Sequence, residues 1–126
     1  DGDLTVLLKN FPLSDEIAFR FSQHSWQGFP LTSEKFVSWL SQIENPDCIN
    51  LFMDYETFGE HQWQQTGIFD FLEHLPFEVL NRSDFDFATP SEVAERYPVR
   101  DKVSSVSPMI CKTTASHNST LSKRLL

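Results

Sequence analysis

Short apolar runs and helically spaced apolar positions alternate along the first hundred residues. Residues 4–8 form a mainly apolar run, which predicts a strand buried on both faces. Ser14 follows as a candidate N-cap, with acidic residues in the first turn after it. Ile17 and Phe21 then share one helical face. The pattern predicts a strand followed by a helix.

The clearest helical signal begins at Thr32, a favourable N-cap residue. Leu31, just before it, is placed to pack on Phe36 as a hydrophobic staple. Apolar residues then recur at helical spacing until residues 45–47 end the helix. The residues on this face are Phe36, Trp39, Leu40 and Ile43.

Further elements alternate in the same way up to residue 100. Residues 49–53 predict a second strand and residues 85–88 a third. Between them, one helical face is predicted from Ile68, Phe71, Leu72 and Leu75. A capping box over residues 89–92 predicts the last helix. This order is typical of α/β proteins with parallel strands and helical crossovers, and three strands predict a piece of a larger sheet or barrel.

Charge excludes one class of partner. The 126 residues hold 18 acidic side chains against 10 Lys and Arg, for a net charge of −8. Nucleic-acid binding needs clustered positive charge, so we expect no nucleic-acid partner. The sequence has no apolar run of membrane-spanning length, so we expect no membrane association either.

Composition divides the chain near residue 100. Residues 1–100 carry 17 acids against 6 bases and all twelve Phe, whereas residues 101–126 carry one acid against four bases. We therefore predict a folded body over residues 4–100. The tail over residues 101–126 is expected to be disordered or a non-native continuation.

The two cysteines give little chemistry. Cys48 and Cys111 lie far apart, with no CxxC pair and no Cys/His zinc spacing. Unpaired thiols are typical of a reducing compartment, so a cytoplasmic location is expected, although a disulfide between the two stays open.

The candidate chemistry lies in residues 54–63, directly after the second predicted strand. Asp54 at a strand end would be held rigidly, as acid/base chemistry requires. Glu56 would share its face if the chain stays extended. Two close carboxylates favour holding a proton between them, which suits a general acid. Tyr55 and Trp63 could stack on sugar rings.

Two other interpretations of this segment remain open. It could be a solvated acidic loop whose aromatic residues anchor it to the core. Asp54, Glu56 and His61 could also bind a divalent metal, since mixed Asp, Glu and His sets do so.

Residues 54–63 (DYETFGEHQW) also resemble a conserved region of family-57 glycoside hydrolases, closest to the α-amylase subgroup. Residues 13–22 and 30–40 resemble the same subgroup, and the similarity covers roughly residues 4–100. The resemblance implies a fragment of an incomplete (β/α)7 barrel from a retaining enzyme that acts on α-glucans. It implies no cofactor and no metal.

The resemblance also assigns roles to residues. Asp54 matches the general acid/base, and Glu56 would support it. His61 and Trp63 become candidate substrate contacts, as does Tyr55, for which packing is the other interpretation. The nucleophilic Glu and a His-containing region are expected N-terminal to residue 1. The family pattern is lost after Arg100.

Three alternative functions remain beside α-amylase-like hydrolysis. One is a 4-α-glucanotransferase of the same family, in which a second sugar instead of water intercepts the intermediate. Another is a metal-dependent carbohydrate hydrolase or deacetylase. The last is a non-catalytic glucan-binding remnant. Hydrolysis by the isolated 126-residue chain is not expected, because its nucleophile would be absent.

Overall fold

The computed structural model describes residues 4–44, 46–81, 84–99 and the backbone of 123–125. Within these residues, four α-helices and three short strands make a small mixed α/β structure. In chain order they are α1 (Phe11–Ala18), α2 (Ser33–Ser41), β1 (Cys48–Ile49), α3 (Ile68–Leu80), β2 (Phe85–Phe87), α4 (Pro90–Arg96) and β3 (Lys123–Leu125). None of the described helices combines the length and apolar character needed to cross a bilayer.

Helix α2 confirms the predicted start and buried face of the clearest helical signal, although it ends at Ser41, before Ile43 and the predicted end at residues 45–47. The Thr32 side chain caps it by accepting a hydrogen bond from the Lys35 amide at 3.2 Å. Leu31 and Phe36 are both buried in the same apolar cluster, as the staple predicts. The cap therefore fixes where the helix begins, and the staple fixes which face it buries.

Helix α3 is confirmed and is longer than its apolar spacing suggested. It continues through Pro76 to Leu80. Ile68, Phe71 and Leu75 are buried as predicted, but Leu72 is exposed. The buried face instead continues to Val79, one turn beyond Leu75, as 3.6-residue periodicity requires.

Of the N-terminal elements, the predicted strand is absent, and the helix that follows is present but begins earlier than predicted. Residues 4–8 form no regular strand, and Leu4 and Val6 are exposed. Among the described residues this run pairs with no strand, and of its apolar residues only Leu7 is partly buried. Helix α1 begins at Phe11, with Asn10 as its N-cap, because the Asn10 side chain accepts a hydrogen bond from the Leu13 amide at 3.1 Å. Ser14 lies inside the helix and is buried.

The other strands are shorter than predicted. The second strand is Cys48–Ile49, so of the predicted residues 49–53 only Ile49 pairs, and the third strand ends at Phe87. The capping box of α4 is confirmed. The Thr89 side chain accepts from the Glu92 amide at 3.4 Å, and the Glu92 carboxylate accepts from the Thr89 amide at 2.7 Å.

The three strands form a parallel sheet in the order β1-β3-β2. Cys48 pairs with Arg124, and Phe87 pairs with Leu125. Parallel pairing agrees with the predicted class, but the described strands do not close into a barrel. Except for β3, the predicted tail lies outside the described residues.

Candidate functional site

The segment with the candidate chemistry, residues 54–63, is called the motif loop below. It begins five residues after the end of β1, so Asp54 does not lie at a paired strand end as the sequence suggested. The Asp54 backbone is extended (φ −65°, ψ 145°), and a single 3₁₀ turn over Tyr55–Thr57 follows it. Because the chain turns at Tyr55, the extended-chain argument that placed Glu56 on the same face as Asp54 does not hold.

The motif loop folds back on itself through its backbone. The Glu56 carbonyl accepts from the Glu60 amide at 3.2 Å and the His61 amide at 3.0 Å. The Gln62 amide donates to the Thr57 carbonyl at 3.0 Å, and Gly59 donates to the Gln62 carbonyl at 2.9 Å. Gly59 has φ 111°, a conformation that side-chain-bearing residues rarely adopt. These bonds make the loop a closed, self-supporting turn.

The side chains with predicted roles point to solvent. Tyr55 is 91% exposed and Trp63 is 63% exposed. Asp54, Glu56 and His61 are exposed too, and no hydrogen bond or ion pair within the described part of the chain involves their side chains. The indole nitrogen of Trp63 donates to the Glu60 carbonyl, which orients the ring. With the exposed Glu60, the loop thus presents three carboxylates, an imidazole and two aromatic rings to solvent.

Helix α1 anchors the chain just before the motif loop. The buried Ser14 hydroxyl accepts a hydrogen bond from the Phe52 amide at 3.1 Å and donates to the Asn10 carbonyl at 2.7 Å. Sequence reasoning missed this role. A signal did exist, because Ser14 interrupts the apolar face made by Ile17 and Phe21, and a polar residue on such a face needs a buried partner.

A second anchor joins the far end of the loop to the same helix. The Gln62 side-chain amide donates to the Ala18 carbonyl at 3.0 Å. Gln62 is 3% exposed, although its neighbours His61 and Trp63 are exposed. No sequence pattern distinguished it, since it lies between two residues chosen for their chemistry.

The residues considered for a metal do not gather into a metal site. Asp54, Glu56 and His61 form no such cluster, and no group of three or more His, Cys, Asp or Glu within the described ranges could hold an ion. Cys48 is a free, half-buried thiol in β1. Burial, and secondarily the charge of Asp47, raise its pKa.

Two surface grooves lie away from the motif loop. One, of about 450 Å³, is lined by residues of α4, including Glu92 and Arg96. The other, of about 440 Å³, lies beside Asn50 and Phe52 and reaches the start of α4. Neither groove includes Asp54, which is exposed.

Comparison with known proteins shows which sequences this chain resembles. The sequence model of Glycosyl hydrolase family 57 matches residues 1–105. A Methanocaldococcus jannaschii protein named "Putative alpha-amylase" is 45% identical over 103 residues. The match covers 82% of this chain but 22% of that relative, so the chain spans about a fifth of the relative's length. No solved structure matches this chain.

Proposed function

This chain belongs to glycosyl hydrolase family 57, and we propose that it is part of the catalytic barrel of a retaining hydrolase that acts on 1,4-α-glucans. The observation that carries the proposal is the motif loop, which exposes Asp54 among candidate sugar-binding side chains while α1 anchors it at both ends. A reacting carboxylate needs this combination of access and fixed position.

In the proposed mechanism, Asp54 is the general acid/base. It protonates the leaving glycosidic oxygen while a Glu from another part of the full-length polypeptide attacks the anomeric carbon. Retaining chemistry needs these carboxyl groups roughly 5–5.5 Å apart across the scissile bond. Asp54 then removes a proton from the water that hydrolyses the glycosyl-enzyme.

The neighbouring side chains would bind the glucan. Trp63 and Tyr55 offer broad apolar ring faces on which sugar rings can stack. His61 and Glu56 can hydrogen-bond sugar hydroxyls. The α-glucan is thus the proposed substrate, with α-amylase-like hydrolysis as the proposed reaction.

The decisive experiment replaces Asp54 in the full-length polypeptide that carries this segment. Asp54→Asn is expected to lower kcat on maltooligosaccharides by about 10²–10⁴-fold, the usual contribution of general acid–base catalysis, while maltooligosaccharide binding persists. Glu73→Gln, an exposed carboxylate change on α3, is the matched control and should leave kcat unchanged. Full activity in Asp54→Asn would overturn the proposal.

Two further results would identify a different function. Maltooligosaccharide binding without turnover in the unmodified protein would indicate a non-catalytic glucan-binding remnant. A first product of inverted anomeric configuration, observed by NMR, would contradict the retaining mechanism.

A further inference from the structure

We infer that Gln62 is a positioning residue that fixes the Asp54 carboxylate by tying the motif loop to helix α1. The inference rests on the proposed function, because it assumes that Asp54 transfers the proton. It gives a role to a motif residue that cannot reach substrate, since Gln62 is only 3% exposed.

The Gln62 side chain provides a hydrogen-bond donor for a carbonyl group at the end of α1. Ala18 is the last residue of α1, and the final carbonyls of a helix lack partners within it. The Gln62 amide group donates to the Ala18 carbonyl at 3.0 Å in a buried position. This bond fixes the motif loop relative to the end of α1. Helix α1 is itself packed in the core through Leu13 and Ile17.

From Gln62, a chain of backbone hydrogen bonds leads to Asp54. The Gln62 amide donates to the Thr57 carbonyl at 3.0 Å, and the Thr57 amide donates to the Asp54 carbonyl at 3.0 Å. Thr57 is also buried, so both intermediate residues are held away from water. The path Ala18–Gln62–Thr57–Asp54 therefore connects a rigid helix to the reacting residue.

Asp54 depends on its backbone for its position. Its exposed carboxylate has no hydrogen-bond partner within the described ranges, so no side-chain contact there orients it. On its N-terminal side, Phe52 is held by Ser14 at 3.1 Å. Together, Ser14 and Gln62 restrain Asp54 from both directions, and both restraints end on α1.

The other polar atom of Gln62 makes a clean test possible. Its side-chain oxygen is buried and has no hydrogen-bond partner among the described residues, which costs desolvation free energy. Gln62→Met has a similar shape and removes both the anchoring donor and this unpaired acceptor. Losing the hydrogen bond to Ala18 lowers folding stability, whereas losing the unpaired buried oxygen raises it, so the net change in stability should be small. The connection between the loop and α1 is nevertheless lost.

The test measures kcat/KM in the full-length polypeptide on two substrates that differ in their need for an acid. A maltooligosaccharide has a poor leaving group that must be protonated, whereas an aryl maltooligoside with an acidic phenol leaves with little help. For Gln62→Met we expect kcat/KM on the maltooligosaccharide to fall about 10²-fold, the loss that misplacement by about 1 Å can cause. On the aryl maltooligoside the loss should be less than about threefold, because departure of the acidic phenol needs little proton transfer.

Gln65→Met is the matched control, because Gln65 is an exposed glutamine three residues away. It should leave both substrates unaffected. Equal losses on the two substrates for Gln62→Met, or no loss on either, would overturn the inference. If Gln62→Met does not fold, the same comparison on Gln62→Leu, which also lacks the amide donor, decides, and failure of both variants to fold would assign a purely structural role and overturn the inference.

The results that would contradict the proposed function differ from those that would contradict only the role of Gln62. If Asp54→Asn keeps full activity, Asp54 is not the acid/base and the proposed function fails. If Asp54→Asn is inactive but Gln62→Met shows no leaving-group dependence, the function stands and only the positioning role of Gln62 is wrong.

Discussion

Phe36 of α2 and Phe71 of α3 pack edge to face, with ring centroids 5.8 Å apart and ring planes at 86°. Phe36 is fully buried and Phe71 nearly so. Phe71 also meets Phe21, beyond the end of α1, with centroids 5.3 Å apart. Edge-to-face pairs add about 0.5–1.5 kcal/mol to the burial of the rings. These contacts link the chain segments before and after the motif loop.

Phe36→Ala should therefore be strongly destabilising. Loss of a fully buried ring leaves a cavity, and we expect the free energy of unfolding to fall by about 3–5 kcal/mol. Denaturant unfolding of the 126-residue chain measures this change. Phe77→Ala removes a ring that is 67% exposed and should cost about 0.5 kcal/mol or less. Similar losses for both variants would contradict the assigned core.

Trp63→Ala should weaken glucan binding more than it slows the chemical step. Its exposed indole is the proposed stacking surface, so in the full-length polypeptide KM for maltooligosaccharides should rise roughly tenfold, which is about 1.4 kcal/mol of binding. Trp63→Phe keeps a ring and should show a smaller increase. Phe77→Ala, another exposed aromatic change, should leave KM unchanged. An unaltered KM in Trp63→Ala would remove Trp63 from the proposed binding surface.

The 126-residue chain alone should not hydrolyse α-glucans. The proposed reaction needs a nucleophile that lies on another part of the full-length polypeptide, and one carboxylate cannot form and hydrolyse the glycosyl-enzyme. Release of reducing ends from maltooligosaccharides measures this, with the full-length polypeptide as the positive control. Turnover by the short chain that disappears in Asp54→Asn would contradict the prediction.

Cys48 should react slowly with alkylating reagents at neutral pH. Its pKa is raised by burial and, to a lesser extent, by the charge of Asp47, so the reactive thiolate is scarce until the pH rises above the ordinary thiol range. In a Cys111→Ser background, the alkylation rate should reach half its maximum at a higher pH than that of a free cysteine peptide. Asp47→Asn should shift the midpoint only partway back, because burial is the larger cause. A midpoint at or below that of the peptide would contradict this assignment.

The same raised pKa affects stability. A thiol that holds its proton more tightly when folded stabilises the native state fully below the unfolded-state pKa. That contribution should be lost as the pH rises through the folded-state pKa. Cys48→Ser should remove this alkaline component of the pH dependence, which denaturant unfolding at several pH values can detect.

Helices were predictable where local signals agreed. Thr32 and Thr89 each combine a cap with a following periodic face or box, and both helices begin where those signals lie. The start of α1 was missed because Ser14 imitates a cap, while Asn10 followed by Pro12 is the true one. Strand lengths were not predictable, since the partner of both β1 and β2 comes from residues 123–125, far away in the sequence.

In the candidate site, too, local features could be predicted from the sequence and features that depend on distant contacts could not. The motif predicted roles for Asp54 and the aromatic residues, because their chemistry is visible in their side chains. It did not reveal the turn at Tyr55, which separates Asp54 from an extended strand. Nor did it reveal Ser14 and Gln62, whose roles depend on where α1 packs against the loop.

The central position of β3 has a consequence for how the sheet assembles. Cys48 and Phe87 each pair with residues at the far end of the chain, so these sheet contacts have high contact order. Contacts between distant residues form slowly, because loop-closure entropy must be lost before pairing compensates for it. During synthesis, the helices can form as they leave the ribosome, but the three-stranded sheet cannot be completed until residues 123–125 have emerged.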